Sequence, residues 1–174
     1  ASLDRLVREN YVARSGDRFS FLTDEEQDIA RAIANTSYEA ADVVGEVAKI
    51  IFEDIYRARK YRKGANDFPI DRYVDEQLYG AAQGGMRLNV VTMAHPDLAD
   101  ADDGALALRS SNQALVALAV DSRYYDVLEG VVKIRRYVRT QNVQQLPEGT
   151  QRIIADRQKE ATAALEEARS LISD

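Results

Sequence analysis

The residues best suited to binding chemistry are cations interleaved with tyrosines. The first cluster places five cations within seven residues, and Tyr56 and Tyr61 lie beside and within it: Arg57, Arg59, Lys60, Arg62 and Lys63. Cations with aromatic rings between them bind phosphates and stack on bases. The spacing therefore predicts a nucleic-acid-binding segment. The alternative interpretation is that these cations balance the C-terminus of a helix.

A second cluster of cations surrounds Tyr137 and consists of Lys133, Arg135, Arg136 and Arg139. It lies within a pattern of helical periodicity, where cations on one face would contact phosphates. The alternative interpretation is the solvated face of an amphipathic helix.

Two further arginines, Arg14 and Arg18, flank a short turn between two runs of β-forming residues. A winged-helix domain contacts DNA with a hairpin of this kind, so both arginines are candidate nucleic-acid contacts. The alternative is that they are ordinary exposed turn residues.

Carboxylates offer a rival chemistry, because hard divalent cations take oxygen ligands. An acidic loop contains Asp97, Asp100, Asp102 and Asp103, but it lacks the spacing and final glutamate of a calcium loop. A solvated loop is the favoured interpretation, and no metal site is predicted. The alternative hypothesis is a metal-dependent nuclease or hydrolase that combines this loop with Asp71, Asp75 and Glu76. It requires these carboxylates to converge on one concave site.

Composition excludes several kinds of catalytic site. The chain has no cysteine, and His95 is its only histidine, so thiolate chemistry and paired-histidine metal sites are absent, and no Ser-His-Asp triad is predicted. His95 beside Pro96 is interpreted as structural. No G-x-x-x-x-G-K-[ST] sequence is present to cradle a phosphate. We predict no catalytic residue and no cofactor for this chain.

Helices and strands must both position these residues, and the predicted class is α+β. Thr23 and Glu26 form a capping-box signature that starts a helix, and Gly80, Gly84 and Gly85 are predicted to form a hairpin loop. Apolar periodicity predicts the remaining elements. They are a helix over 3–8, a hairpin over 11–22, a helix over 37–58, strands within 60–74, strands over 88–94 and 114–120, a loop over 95–104, and helices over 122–141 and 148–173.

The predicted organisation has three segments. Residues 1–36 resemble a winged helix, residues 37–121 form a small α/β module, and residues 122–174 form a helical hairpin arm. The last helix carries a narrow seam, which favours packing against one other helix or self-association: Ile154, Ala161, Leu165, Ala168 and Ile172.

The overall composition is that of a globular protein, with 45% hydrophobic and 30% charged residues. The net charge of -6 argues against non-specific nucleic-acid binding by the whole chain and leaves local patches as candidates. The lack of cysteine and of an apolar run near the roughly 20 residues of a membrane span predicts a cytoplasmic protein without membrane contact.

Several longer strings resemble a known family. They are Phe21-Leu22-Thr23-Asp24-Glu25-Glu26-Gln27-Asp28-Ile29, Val47-Ala48-Lys49-Ile50-Ile51-Phe52-Glu53-Asp54-Ile55-Tyr56, Lys60-Tyr61-Arg62, Phe68-Pro69-Ile70-Asp71-Arg72-Tyr73-Val74-Asp75, Lys133-Ile134-Arg135-Arg136-Tyr137-Val138 and Arg152-Ile153-Ile154-Ala155-Asp156-Arg157-Gln158-Lys159. Together they are similar to part of the large P-loop ATPases of bacterial BREX phage-resistance systems, the BrxC/PglY family.

The resemblance implies a region downstream of the ATPase core, with the Walker motifs, ATP and Mg²⁺ belonging to the parent protein. It implies DNA and other defence proteins, such as a DNA methyltransferase, as partners. The expected function is a non-catalytic DNA- or partner-interaction module of a phage-defence ATPase. Besides the nuclease hypothesis, a regulatory domain of an unrelated ATPase stays open as an alternative.

Overall fold

The computed structural model describes residues 3–9, 11–15, 18–95, 103–119 and 123–173. Six α-helices and seven strands in two sheets lie within these ranges, which confirms a mixed α/β class. The chain divides into two compact units. The first comprises Ala1–Tyr38 and Gly130–Ala164, and the second comprises Glu39–Glu129 and Leu165–Asp174.

The first unit begins with the elements α1 (Leu3–Arg8), β1 (Val12–Ser15), β2 (Arg18–Phe21) and α2 (Asp24–Ala34). The strands β1 and β2 pair antiparallel. The predicted capping box is present, because Thr23 Oγ1 accepts from the Glu26 N–H at 3.3 Å and Glu26 Oε2 accepts from the Thr23 N–H at 2.7 Å. Helices α5 (Tyr124–Thr140) and α6 (Glu148–Ser173) each contribute to both units. The buried residues of the first unit include Val12, Ile29, Ile33, Val131, Val132, Ile154 and Ala161.

The second unit is built on a five-stranded mixed sheet. Its elements are α3 (Ala40–Lys49), a π-helical segment (Ile50–Ile55), β3 (Lys60–Lys63), β4 (Asn66–Val74), β5 (Gln77–Tyr79), β6 (Met86–Val91), α4 (Asp103–Arg109) and β7 (Ala114–Ala117).

Strand β4 organises this sheet. Its first four residues pair antiparallel with β3, and its last three pair antiparallel with β5. Its other edge pairs parallel with β6, which in turn pairs parallel with β7. The β4–β5 turn is only two residues long, and Asp75 (φ 46°) and Glu76 (φ 66°) both adopt the left-handed conformation that such hairpins require.

One face of the sheet carries α3 and the π-helical segment. Partners in register share a face, so Ile70, Arg72 and Val74 of β4 lie on this face together with Met86, Leu88 and Val90 of β6. The buried helix residues above them form the core of the unit, which explains the apolar periodicity of this stretch: Val43, Val44, Val47, Ala48, Ile50, Ile51 and Phe52.

The predicted helix over 37–58 needs correction. The α-helix begins at Ala40, gives way to π-helical turns at Ile50 and ends at Ile55. The Tyr56 N–H donates to the Ile51 carbonyl at 2.6 Å, and the Arg59 carbonyl already accepts from the Ile70 N–H at 2.9 Å. The helix therefore stops where the chain begins to pair with β4.

Two predicted loops also differ from the structure. Residues 80–85 do not close a hairpin, because the strands they join, β5 and β6, lie on opposite edges of β4. The loop predicted over 95–104 is replaced from Asp103 by α4, since residues 105–109 are mostly strong helix formers. Asp97, Asp100 and Asp102 lie outside the described residues.

The two compact units have other bounds than the three predicted segments, which are 1–36, 37–121 and 122–174. The division into three domains stays a prediction. The seam of α6 is packed, since Ile154, Ala161 and Ala168 are buried. Ile154 and Ala161 belong to the first unit and Ala168 to the second. Among the described helices, none combines the length and apolar character of a membrane-spanning helix.

Candidate functional site

The first predicted cluster lies on and beside the hairpin formed by β3 and β4. Lys60, Arg62 and Lys63 belong to β3, and Arg57 and Arg59 lie in the segment that leads into it. Every residue of β3 is exposed. Gly64, with a φ of 62°, occupies the turn position that favours glycine. Lys60, Arg62 and Lys63 are therefore carried by an exposed hairpin, whereas Arg57 directly follows the C-cap residue of the π-helical segment.

The register separates the cations of this hairpin between its two faces. Arg62 lies opposite Asp67, and its Nε donates to the Asp67 carboxylate at 2.8 Å, while Lys60 Nζ donates at 2.6 Å. Hydrogen bonds from Arg62 and then from Lys60 hold the pKa of Asp67 below its usual value. On this face one carboxylate engages two cations.

The opposite face of the hairpin carries aromatic rings and further cations. Tyr61 lies opposite Phe68, and the two side chains are 51% and 46% exposed. Lys63 shares this face through its pairing with Asn66. We call Arg59, Tyr61, Lys63 and Phe68 the aromatic strip. Arg59 is included because it lies opposite Ile70, and its carbonyl accepts a hydrogen bond from the Ile70 N–H.

A polar cavity lies on the same face of the sheet, next to Arg59. Its volume is about 520 Å³, and its walls include Arg72, Tyr79, Phe52 and Glu53. The Arg72 guanidinium lies 5.2 Å from the centre of the Phe52 ring and 5.4 Å from that of Tyr79. Arg72 also donates to the Phe52 carbonyl at 3.3 Å. Arg72 therefore lies against two rings that stack on each other, and one of them, Phe52, belongs to the π-helical segment.

Tyr79 is the most strongly perturbed group in this cavity. Burial and, after it, the hydrogen bond that its hydroxyl donates to Glu53 together raise the pKa of Tyr79 to about 12. Our sequence reasoning missed the cavity. The available signal was Arg72 itself, a charged residue between Ile70 and Val74 on an otherwise apolar strand face.

The second predicted cluster lies on α5 in the first unit and comprises Lys133, Arg135, Arg136 and Arg139. Lys133 Nζ lies 5.3 Å from the centre of the Tyr38 ring. Arg135 and Arg139 are exposed and border a groove of about 400 Å³ that α6 also lines. The two clusters therefore belong to different units.

Arg14 and Arg18 flank the turn of the β1–β2 hairpin, as the sequence predicts. The Arg14 guanidinium lies 5.6 Å from the centre of the Phe19 ring, its cross-strand partner. Gly16 and Asp17, the residues of the turn, lie outside the described residues.

The carboxylates of the alternative nuclease hypothesis have structural partners. Asp71 is buried and accepts from the backbone N–H groups of Gln83 and Gly85 at 2.6 and 3.0 Å. Asp75 accepts from the backbone N–H and the hydroxyl of Thr92, at 2.7 and 2.6 Å.

Glu76 pairs with Arg87 and accepts from Asn89. No group of three or more His, Cys, Asp or Glu side chains that could hold a metal occurs in the described part of the chain. His95 is buried, and its backbone N–H donates to the Thr92 carbonyl at 3.1 Å.

Comparison with known proteins connects this geometry to a family. Residues 36–174 match the family model described as the BREX ATP-binding protein BrxC 4th domain with six-stranded beta sheet. The matched range contains the β3–β4 hairpin and the second cluster, and it excludes the β1–β2 hairpin. The described residues form five strands of the sheet in the second unit. No solved structure matches the chain.

Proposed function

Because the chain belongs to the family of the BREX ATP-binding protein BrxC, a phage-defence protein, we propose that it is a non-catalytic module that binds DNA phosphates through the β3–β4 hairpin. The observation that carries the proposal is the local concentration of charge. Residues 57–68 contain five cations and a single carboxylate, Asp67, in a chain whose net charge is -6. Phosphate contacts need a concentrated positive field of this kind.

The hairpin geometry supports phosphate contact. All four residues of β3 are exposed, and Lys63 at the turn and Arg59 at the base of the strand make no ion pair within the described residues. Exposed, unpaired cations approach phosphates without first breaking another bond. Arg57 is held only loosely, with its guanidinium 3.9 Å from Asp54.

The first unit extends the proposal to a winged-helix-like contact. An antiparallel hairpin with Arg14 and Arg18 at its turn precedes the capped helix α2, and this order of elements supports a wing. The second cluster on α5 is a further candidate phosphate contact. DNA and other BREX proteins are the expected partners, and ATP with Mg²⁺ belongs to the ATPase part of the parent protein.

The absence of a catalytic role is also part of the proposal. Asp71, Asp75 and Glu76 have hydrogen-bond partners within the fold that explain their positions. This supports a structural role for them over the metal-dependent nuclease. The phosphate-cradling sequence of a P-loop is absent, so we expect the purified chain not to hydrolyse ATP.

Salt-dependent binding to a short fluorescent DNA duplex tests the proposal. The double substitution Arg59→Glu and Lys63→Glu should reduce the slope of log affinity against log salt by about two, since each lost phosphate contact contributes about 0.9. The matched control is Arg31→Glu with Lys159→Glu, two cations with side chains that are 60% and 79% exposed on other elements. Equal slopes for the unmodified chain and the hairpin variant would contradict the proposal.

A further inference from the structure

The aromatic strip places stacking groups and phosphate-binding groups on one face of the β3–β4 hairpin. Tyr61 and Phe68 are cross-strand partners, and Lys63 and Arg59 lie on the same face on either side of Tyr61. Residues two apart on a strand are separated by about 6.5 Å. The two cations therefore flank the two rings along a line.

The two rings are open to solvent. Tyr61 and Phe68 are 51% and 46% exposed, and neither ring contacts another ring or a cation within the described residues. Three other rings of this unit are engaged, since Phe52 stacks on Tyr79 at 5.5 Å and Arg87 lies over Tyr73, whereas Tyr56 is 41% exposed. A ring pair that served only the hairpin would make such a contact.

The charge distribution indicates which kind of ligand this face can bind. Lys60 and Arg62 are held by Asp67 on the other face, whereas Arg59 and Lys63 beside the rings make no ion pair in the described residues. A ligand that fits must carry negative charge at regular intervals and flat apolar groups between those charges. Single-stranded nucleic acid has this chemistry, and its bases are free to stack on aromatic side chains.

Resting on the proposed DNA-binding function, we infer that the aromatic strip binds single-stranded nucleic acid. Two or three consecutive bases stack on Tyr61 and Phe68, and the phosphates between them bind Arg59 and Lys63. Bases in a duplex are already stacked on one another and do not reach these rings. The hairpin therefore distinguishes an opened strand from a duplex, a preference that phosphate binding alone does not provide.

Binding of the whole chain to three fluorescent strands of equal length tests the inference: oligo-dT, oligo-U and an abasic strand that keeps the phosphates without the bases. Tyr61→Ala and Phe68→Ala should each lower the affinity for the strand with bases by roughly 5- to 150-fold. Their effect on the abasic strand should stay below about twofold, since phosphate contacts are unchanged. The matched control is Tyr11→Ala, because Tyr11 is 49% exposed and lies outside the hairpin.

The leucine variants Tyr61→Leu and Phe68→Leu keep the strand apolar and remove only the flat ring, so they should reproduce the alanine result if stacking is responsible. Comparison of oligo-dT with oligo-U identifies whether DNA or RNA is preferred. Equal loss of affinity for the abasic strand would overturn the inference, because the rings would then act only on the fold of the hairpin.

The outcomes also separate this inference from the proposed function. If the ring variants bind every strand normally while Arg59→Glu with Lys63→Glu weakens duplex binding, the inference fails and the proposed function stands. If the chain binds no nucleic acid and neither set of variants changes anything, both fail.

Discussion

Asp67 lies directly opposite Arg62 across the β3–β4 hairpin, and its carboxylate accepts from the Arg62 Nε at 2.8 Å. The same carboxylate accepts from Lys60 Nζ at 2.6 Å. These two bonds hold the pKa of Asp67 below its usual value, so the carboxylate stays charged throughout the neutral range. Asp67 therefore limits how many cations of the hairpin are available to a polyanion.

Substitution of Asp67 by Asn should strengthen DNA binding. The change removes one negative charge and releases Lys60 and Arg62, so the salt dependence should become steeper by about one to two phosphate contacts. The measurement is fluorescence anisotropy over a series of salt concentrations. The control, Asp28→Asn, removes the same charge from an exposed ion pair on α2. An affinity equal to that of the control would show that the released cations do not reach the phosphates.

Local signals in the sequence predicted the elements that depend on neighbours in the chain. Thr23 and Glu26 are three residues apart, and their capping box is present. The helix predicted over 148–173 is observed as Glu148–Ser173, because its seam repeats at helical spacing. Charge density likewise located the hairpin cluster, since five cations in seven residues are visible without any knowledge of the fold.

Relationships between distant residues were not predictable in the same way. The side of β4 on which β5 and β6 pair depends on the sheet as a whole, so residues 80–85 were wrongly predicted to close a hairpin. The cavity at Arg72 depends on Phe52, twenty positions earlier in the chain, and on a π-helical segment that has no simple sequence signal. Which cations Asp67 engages follows from cross-strand register, which spacing alone does not fix.

The stability of the second unit should fall at high pH through Tyr79. Burial and the hydrogen bond to Glu53 raise the pKa of Tyr79 to about 12 in the folded chain, compared with about 10 for an unfolded tyrosine. A raised folded-state pKa means that this stabilisation is fully present below about pH 10 and is lost as the pH rises from about 10 to about 12.

Two measurements check this prediction. Ultraviolet titration of the nine tyrosines should show a late ionisation that Tyr79→Phe removes. Burial also raises the pKa of Tyr124, so the control Tyr124→Phe identifies the late ionisation that belongs to Tyr124 and not to Tyr79. Chemical denaturation should be compared at about pH 9, below the unfolded-state pKa of about 10, and at about pH 11.5, close to the folded-state pKa of about 12. The loss of stability between these two pH values should be smaller in Tyr79→Phe than in the unmodified chain. Identical losses would contradict the assignment.

The last prediction concerns two glycines that differ in the space around them. A Cβ added at Gly85 would lie 2.1 Å from the Pro69 carbonyl oxygen and 2.5 Å from its carbonyl carbon, both backbone atoms of β4. A Cβ added at Gly130, within α5, would meet nothing within 4 Å. The same chemical change should therefore have opposite effects at the two positions.

Gly85→Ala should lower the free energy of unfolding by about 2 kcal/mol or more, because β6 has to move away from β4. The movement also disturbs the hydrogen bond from the Gly85 N–H to the buried Asp71 carboxylate, at 3.0 Å. Gly130→Ala should raise the free energy of unfolding by about 0.5 to 1 kcal/mol, since alanine restricts the unfolded chain and favours a helix. Urea denaturation followed by circular dichroism measures both changes. A Gly85→Ala variant as stable as the unmodified chain would show that β4 and β6 are not held as closely at Pro69 as the structure has them.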